Sequence, residues 1–367
     1  MSANWGKNIK LTIFGESHGP GVGIVIDGLP PGLHIDMEFV RDELERRATG
    51  KNMLMTARKE PDAIEILSGY FDYHTTGGPL SLVIKNKDQK SKDYSKLKNW
   101  MRPGHADYTG NVKYKGFNDY RGGGHFSARI TTPFVVAGAI AKQILAKENI
   151  YIGSHIKSIA NIEDRDFEEK DLNKNIFSEL AKEQLCVLNK EIADKMRDEI
   201  LNAREELDSV GGIVETAIIN LPAGVGEPFF ESIESRLASM IFSVPAVKGI
   251  EFGKGFGITR LRGSEANDEY YYDEEGNVKT KTNNNAGILG GISNGMPIIF
   301  KTALKPTASI SKPQKSINIE TKKEEEFAIT GRHDPCIVPR AVVILESAAA
   351  LTILDMLIES RRYNGFK

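Results

Sequence analysis

The chain has 367 residues, 40% of them hydrophobic, enough to bury one large core or two ordinary ones, so a disordered or fibrous protein is excluded. Its 48 basic residues nearly balance 50 acidic ones, and a net charge of -2 leaves no global field to draw the protein to nucleic acid or a membrane; any basic site must be local. The two cysteines, Cys186 and Cys336, form no CxxC pair, which argues against a zinc site or disulfide framework and fits a reducing cytoplasm, and the N-terminal MSANWGKNIK lacks the apolar stretch of a signal peptide.

From the N-terminus, Ile9 to Phe14 alternates apolar and polar side chains and predicts a strand; Val22 to Asp27 predicts a second, followed by GLPPG. Between them GESHG spells the G-x-S-x-G of a serine hydrolase, but that motif needs a strand running into a helix. Here a strand runs into a strand, so Ser17 is not read as a nucleophile. Met37 to Ala48 predicts a helix with Val40, Leu44 and Ala48 on one face, and residues 63–85 return to strands and turns. A helix is expected from Pro133 through FVVAGAIAKQILAK, with Pro133 in the first turn and Lys142 and Lys147 toward the C-terminus.

Asp164 to Arg204, dense in Lys, Glu and Asp, reads as surface helices; Gly211 to Asn220 as a strand; and Phe229 to Phe242 as an amphipathic helix. Glu265 to Asn285 is charged and poor in aliphatics, a long hairpin or a mobile loop. Ala341 to Ile358, AVVILESAAALTILDMLI, is apolar enough to suggest a membrane span, but Glu346 and Asp355 interrupt it and predict a buried core helix instead. Two such helices imply a helical layer covered on both sides. Strands and helices alternate in blocks, not as regular βαβ units, so the expected class is α+β, one sandwich domain spanning 1–367.

Glycine clusters mark close backbone approach: RGGGHFSAR at Arg121 to Arg129, GILGGISNG at Gly287 to Gly295, and GKGFG at Gly253 to Gly257. The last has no strand-to-helix context for a dinucleotide loop and is set aside. Arginines recur beside such turns: Arg102, Arg121, Arg129 and Arg332. Arg129 and Arg332 each precede an expected helix, where free N–H groups already favour anions. Among seven histidines, His18, His105 and His333 lie in these turns, the last two close to Asp107 and Asp334, and imidazole is the natural proton carrier near neutral pH. His34, His74 and His155 read as structural, and no spacing supports a metal.

At this point the chain resembles the chorismate synthase family. The motifs GESHGPGVGIVIDGLPPG, RPGHADYTG, DYRGGGHFSAR, LKPTASIS and GRHDPCIVPRAVVILESA carry the resemblance, in the family's order and across nearly the whole chain. It implies a β-α-β sandwich with a central helical layer, assembled as a homotetramer. It also implies conversion of 5-enolpyruvylshikimate 3-phosphate to chorismate and phosphate, the last step of the shikimate pathway to aromatic amino acids. That reaction is a lyase-type 1,4-elimination that needs reduced FMN yet has no net redox change.

Carried over by position, His18 matches the histidine beside the flavin, His105 the one that assists departure of phosphate, and Asp334 and Ser17 the proposed proton relay. Flavin contacts fall on His125, Phe126, Ser127, Gly290, Lys305, Pro306, Thr307, Ala308, Ser309 and Arg332; substrate-side cations on Arg47, Arg58 and Arg129. The chain departs from the family in three places. Many members have Arg-Ser-Ser at 125–127, many have an arginine at Met53, which leaves Lys51 or Arg58 to substitute, and a glycine common before Gly287 is Ala286 here. The resemblance leaves open whether NADPH reduces the flavin on this protein; with no added domain for that task in the sequence, a separate flavin reductase is the expected partner. The competing class is an FMN-dependent oxidoreductase using the same pocket, or a flavin-binding protein without catalysis.

Overall fold

The computed structural model describes residues 3–48, 62–87, 98–329 and 334–364, with side chains to 361. In chain order β1 (Asn4–Trp5), β2 (Lys10–Gly15) and β3 (Gly21–Asp27) lead into α1 (Met37–Arg47). Then come β4 (Ile64–Ser68), a small hairpin of β5 (Tyr70–Phe71) and β6 (His74–Thr75), and β7 (Leu80–Lys85). The short α2 (Asp107–Lys113) and the long α3 (Thr131–Lys147) follow, then β8 (Tyr151–Ile159), β9 (Ile162–Glu163), α4 (Lys174–Leu180), α5 (Lys190–Glu205) and β10 (Gly212–Ile219). The C-terminal part carries α6 (Ile233–Ser243), β11 (Val247–Phe252), α7 (Gly263–Ala266), the hairpin β12 (Tyr270–Tyr272) and β13 (Val278–Thr280), and the hairpin β14 (Ile288–Leu289) and β15 (Ile292–Ser293). It ends with β16 (Ile298–Leu304), β17 (Gln314–Asn318), β18 (Lys323–Phe327) and α8 (Val338–Asn364).

Two antiparallel sheets face each other across helices. The first has the order β1-β2-β3-β7-β4 and the second β11-β16-β10-β8-β9. Helix α3 packs on β3 and β7 of the first sheet, α8 on β8 and β10 of the second, and the two helices pack on each other with α1 beside both. The layer order is therefore sheet, helices, sheet, the expected α+β sandwich. Both central helices are apolar nearly all round because each is covered on both sides. The α8 segment is apolar and long enough to cross a membrane by composition, and here it lies buried inside the sandwich. The helices approach closely because Gly138 on α3 has no side chain: a Cβ there would sit 2.1 Å from the Cβ of Ser347 on α8.

Charged side chains also hold this layer. Arg46 on α1 donates to Glu43 at 2.7 Å and to both oxygens of Glu346 on α8 at 2.7 and 2.9 Å, and Lys142 on α3 pairs with both carboxylates. Helix α1 is capped by Asp36, whose carboxylate accepts from the backbone N–H of Glu38 and Phe39, and it ends in Arg46 and Arg47. One arginine is thereby fixed into the network and its neighbour is delivered to the end of the layer.

Several expected boundaries shift. The helix expected over Phe229 to Phe242 begins only after Ser232, whose hydroxyl caps it, leaving Phe229 and Phe230 exposed in a single 3-10 turn. The Glu265 to Asn285 segment is the hairpin alternative, its base pinned by Asp268, which accepts from the Asn284 and Asn285 amides and the Thr282 hydroxyl. Ala286, where a glycine is common, is buried with φ at 57°, so an L-residue occupies a left-handed turn.

Candidate active site

At one end of the sandwich a cavity of about 860 Å³ opens between the N-terminus of α3, the first sheet, α6 and the loop after β16. Three sources supply its wall. Trp5, Leu11, Ile13, Phe134, Phe242 and Val247 form an apolar side. Arg47, Arg102, Arg129, Arg340, Lys248 and Lys305 supply cations, and Asp62 and Asp334 supply carboxylates. Ser17, His105, His125 and Ser127 add uncharged or titratable polar groups.

The triple glycine shapes this wall. Gly122, Gly123 and Gly124 all have positive φ, and the Gly124 carbonyl accepts from the Ser17 N–H. A Cβ on Gly122 would lie 2.4 Å from the His18 ring and 3.1 Å from the Ser17 hydroxyl, so the absent side chain is what lets the two loops stack. Ser17 is 1% exposed, faces the cavity, and its hydroxyl has no partner among the described residues. His18, 4% exposed, lies behind Gly122 and not on the wall itself.

Below Gly123 sits a charged triad. Arg102 donates through Nε at 2.6 Å and Nη2 at 2.7 Å to the two oxygens of Asp107, and through Nη1 at 3.0 Å to Ser309. His105 Nδ1 lies 2.8 Å from Asp107 Oδ1 and 3.1 Å from Arg102 Nη2. A neutral ring protonated on Nε2 accepts from the guanidinium at Nδ1; a ring protonated on Nδ1, whether neutral or charged, donates that proton to Asp107. Either way Nδ1 is engaged with this pair. Burial would raise the Asp107 carboxyl, but its hydrogen bonds from Arg102 and His105 hold it well below the usual carboxylate range.

The other cationic group is built on Asp62. Its carboxylate bridges Arg47 Nη2 at 3.1 Å and Arg129 Nη1, and Arg129 Nε donates at 3.0 Å to Asn86. Arg340 donates to the Arg47 carbonyl at 3.0 Å and to Asp334. Arg47 is almost wholly buried, and its Nε and Nη1 have no partner among the described residues. Burial, then the positive charges of Arg340 and Arg129, lower its guanidinium to about 10 against the help of Asp62. Near the mouth, burial and the charge of Lys248 lower the Lys305 ammonium, whose Nζ donates to the Gly104 carbonyl. Donors and positive charge in excess of local carboxylates make this a site for a multiply charged anion.

Of the residues singled out from sequence, Ser17, His105, Asp334, His125, Phe126, Ser127, Lys305 to Ser309, Arg47 and Arg129 line this one cavity. Arg58, Arg332 and His333, with Lys51 and Met53, fall outside the described residues. Gly290 is not brought to the cavity: it occupies the turn between β14 and β15 and faces open space, while the adjoining Gly291 packs on Ser232. At the Arg-Ser-Ser departure, His125 stays on the wall with its Nδ1 donating to the Gly15 carbonyl at 2.9 Å, and Phe126 packs near Gly110 and Tyr114. Asp62, Asn86, Lys248 and Arg340 were not singled out. Arg340 stands in the VPRAVV of a recognised motif, but the others carry no signal beyond residue type.

Comparison with known proteins agrees. The family model described as chorismate synthase matches residues 9–358. A chorismate synthase of Pyrococcus abyssi is 48% identical over 97% of this chain and 98% of its own length, and one of Christiangramia forsetii is 47% identical over 98% of each. A crystal structure of chorismate synthase, 28% identical, superposes with a TM-score of 0.74 over 99% of this chain and 98% of that one. Matched by the family model over residues 9–358 and by relatives along nearly its whole length, this chain belongs to the chorismate synthase family.

Proposed function

We propose that the enzyme converts 5-enolpyruvylshikimate 3-phosphate to chorismate and phosphate in this cavity, with reduced FMN bound beside the substrate. One observation carries the reading: the buried Arg47, with two guanidinium nitrogens that have no partner among the described residues, faces the same space as a histidine engaged at Nδ1. A substrate with two carboxylates and a phosphate answers the first, and departure of that phosphate uses the second.

Each group has a separate task. Arg47 and Arg129 bind anionic groups of the substrate, held as a pair by Asp62. His105, oriented through Nδ1 by Arg102 and Asp107, stabilises the leaving phosphate by presenting the Nε2 side of its ring. The residues also fit the flavin: the unpartnered Ser17 hydroxyl suits a polar ring edge, the apolar side suits a flat heteroaromatic face, and Lys305 with the turn to Ser309 suits a phosphate. Bound there, reduced FMN would lend electron density transiently to the breaking allylic C–O bond; the electrons of the ring C–H bond would be left in the new double bond and its hydrogen would leave as a proton, so that no net oxidation occurs. Ser17, His18 and Asp334 handle protons on the flavin side in this scheme. The same proposal includes a homotetramer and a separate source of reduced flavin, with NADPH as the ultimate reductant; light scattering and an aerobic assay with NADPH test these two points.

The decisive assay is anaerobic, with photoreduced FMN at one equivalent per site. Phosphate and chorismate are expected in equal amounts over many turnovers, with flavin recovered reduced. Product limited to the flavin supplied, with flavin left oxidised, would make the protein an oxidoreductase.

A further inference from the structure

The turn that bears Ser17 and His18 and the arginine that faces the substrate side of the cavity belong to different loops. One side chain joins them. Asn86 follows β7, and its amide nitrogen donates to the carbonyl of Glu16 at 3.0 Å and to that of Gly19 at 2.9 Å, the residues flanking Ser17 and His18. Its own N–H donates to Pro20 at 3.1 Å. Its amide oxygen accepts from Arg129 Nε at 3.0 Å. The orientation of the amide is fixed by chemistry, because a guanidinium only donates and a peptide carbonyl only accepts. All three polar directions of the amide are therefore committed, two to the turn and one to the arginine.

We propose that Asn86 is a positioning residue that sets the Ser17–His18 turn in register with Arg129, so that an anion held by the arginine meets the turn at a fixed distance. The proposal rests on the function proposed above. The line extends further: Arg129 reaches Asp62, Asp62 reaches Arg47, and the Arg47 carbonyl is held by Arg340 at the start of α8. Among these links Asn86 alone clips a backbone turn on both sides, so its loss loosens the turn, which keeps its bond to the Gly124 carbonyl, while Arg129 retains Asp62. An error of even about 1 Å between reacting groups is enough to lose roughly 10²-fold in rate.

The test uses Asn86→Ala, which removes all three side-chain bonds, and Asn86→Asp, which keeps an acceptor for Arg129 and removes both donors to the turn. Wild-type turnover in the anaerobic assay comes first; its absence would refute the proposed reaction and leave the coupling to be judged by exchange alone. Both variants should show kcat lowered about 10- to 100-fold at saturating substrate, not merely a raised KM, because misregistration persists in the bound complex. The Ser17 and Gly19 amides, which donate to Gly124 and Glu16, should exchange hydrogen faster in both variants while the melting temperature stays near that of the wild type. Should Asn86→Ala fail to fold, Asn86→Ser, with a hydroxyl too short to span the same three partners, takes its place. A raised KM with unchanged kcat, or unchanged exchange at Ser17 and Gly19 in folded variants, overturns the proposal.

Discussion

Glu346→Gln isolates the ion network at the centre of the fold. Glu346 is 2% exposed, and with Glu43 it balances Arg46 and Lys142, two charges against two. Glutamine keeps the volume and leaves one uncompensated positive charge inside the helical layer. Burial alone would raise the Glu346 carboxyl; the charges and hydrogen bonds of Arg46 and Lys142 outweigh it and bring it from 4.5 to about 2. Removing one partner of a buried ion pair costs roughly 3–5 kcal/mol. With an unfolding entropy of about 2.1 cal/mol/K per residue, that loss lowers the melting temperature of this chain by roughly 4–6 °C. The folded value is depressed, so the contribution is complete above the unfolded 4.5 and fades as pH falls from there toward 2. Urea melts of wild type and variant at pH 7 and pH 4 measure both features: a large deficit at neutral pH that begins to narrow on acidification. A deficit below about 1 kcal/mol at pH 7 would refute the reasoning, since a buried cation cannot be left unpaired so cheaply.

Gly122→Ala should fold yet lose turnover. Its Cβ would land 2.4 Å from the His18 ring at a φ of 58°, so activity should fall at least about 10-fold from displacement of the Ser17–His18 turn, and wild-type kcat in the variant would contradict the stacking described. His155 gives the opposite pH signature to Glu346. Burial lowers its imidazole, but the hydrogen bond to Glu215 and the charges of Glu215 and of Asp164, 3.6 Å from Nδ1, outweigh this and raise it above 6.5. Its stabilisation is thus complete below the unfolded 6.5 and disappears as pH rises through the folded value, and the deficit of His155→Gln should shrink across that interval in urea melts. A deficit that does not change with pH would mean that the ring is held for its shape alone.

Local signals in the sequence were enough for elements whose two ends are marked chemically. Met37–Arg47 was legible from its apolar spacing, and the structure adds the Asp36 cap that starts it. Thr131–Lys147 and the long C-terminal helix were legible because few soluble segments are apolar on every face unless both faces are covered. The helix expected from Phe229 failed at its start because two phenylalanines read as core when only Ile233, Leu237, Met240 and Ile241 are buried. At the site most of the residues found lie inside long motifs, Arg47 being an exception, and Arg340 was passed over although it lies in one. Asp62 and Asn86 are a lone carboxylate and a lone amide beside strands; their roles exist only once β4 and β7 lie together in the first sheet and both reach Arg129. No periodicity records such a meeting.

Arg46 and Arg47 show why charge balance decides which cations serve the ligand. They are consecutive residues in the last turn of one helix, and both are withdrawn from water. Arg46 meets Glu43 and Glu346, whose charges overcome its burial and hold its guanidinium well above the ordinary value. Arg47 is lowered first by its burial and then by two other arginines, with a deficit of negative charge because it shares the single carboxylate of Asp62 with one of them, and its guanidinium falls from 12.5 to about 10. Within the core the same deficit would only destabilise the fold. Facing a cavity, the part set by the neighbouring positive charges can be relieved by an incoming anion. A chain with net charge -2 thus needs no surplus of basic residues to hold a polyanion; it needs only to leave one buried arginine short of carboxylates where the substrate arrives.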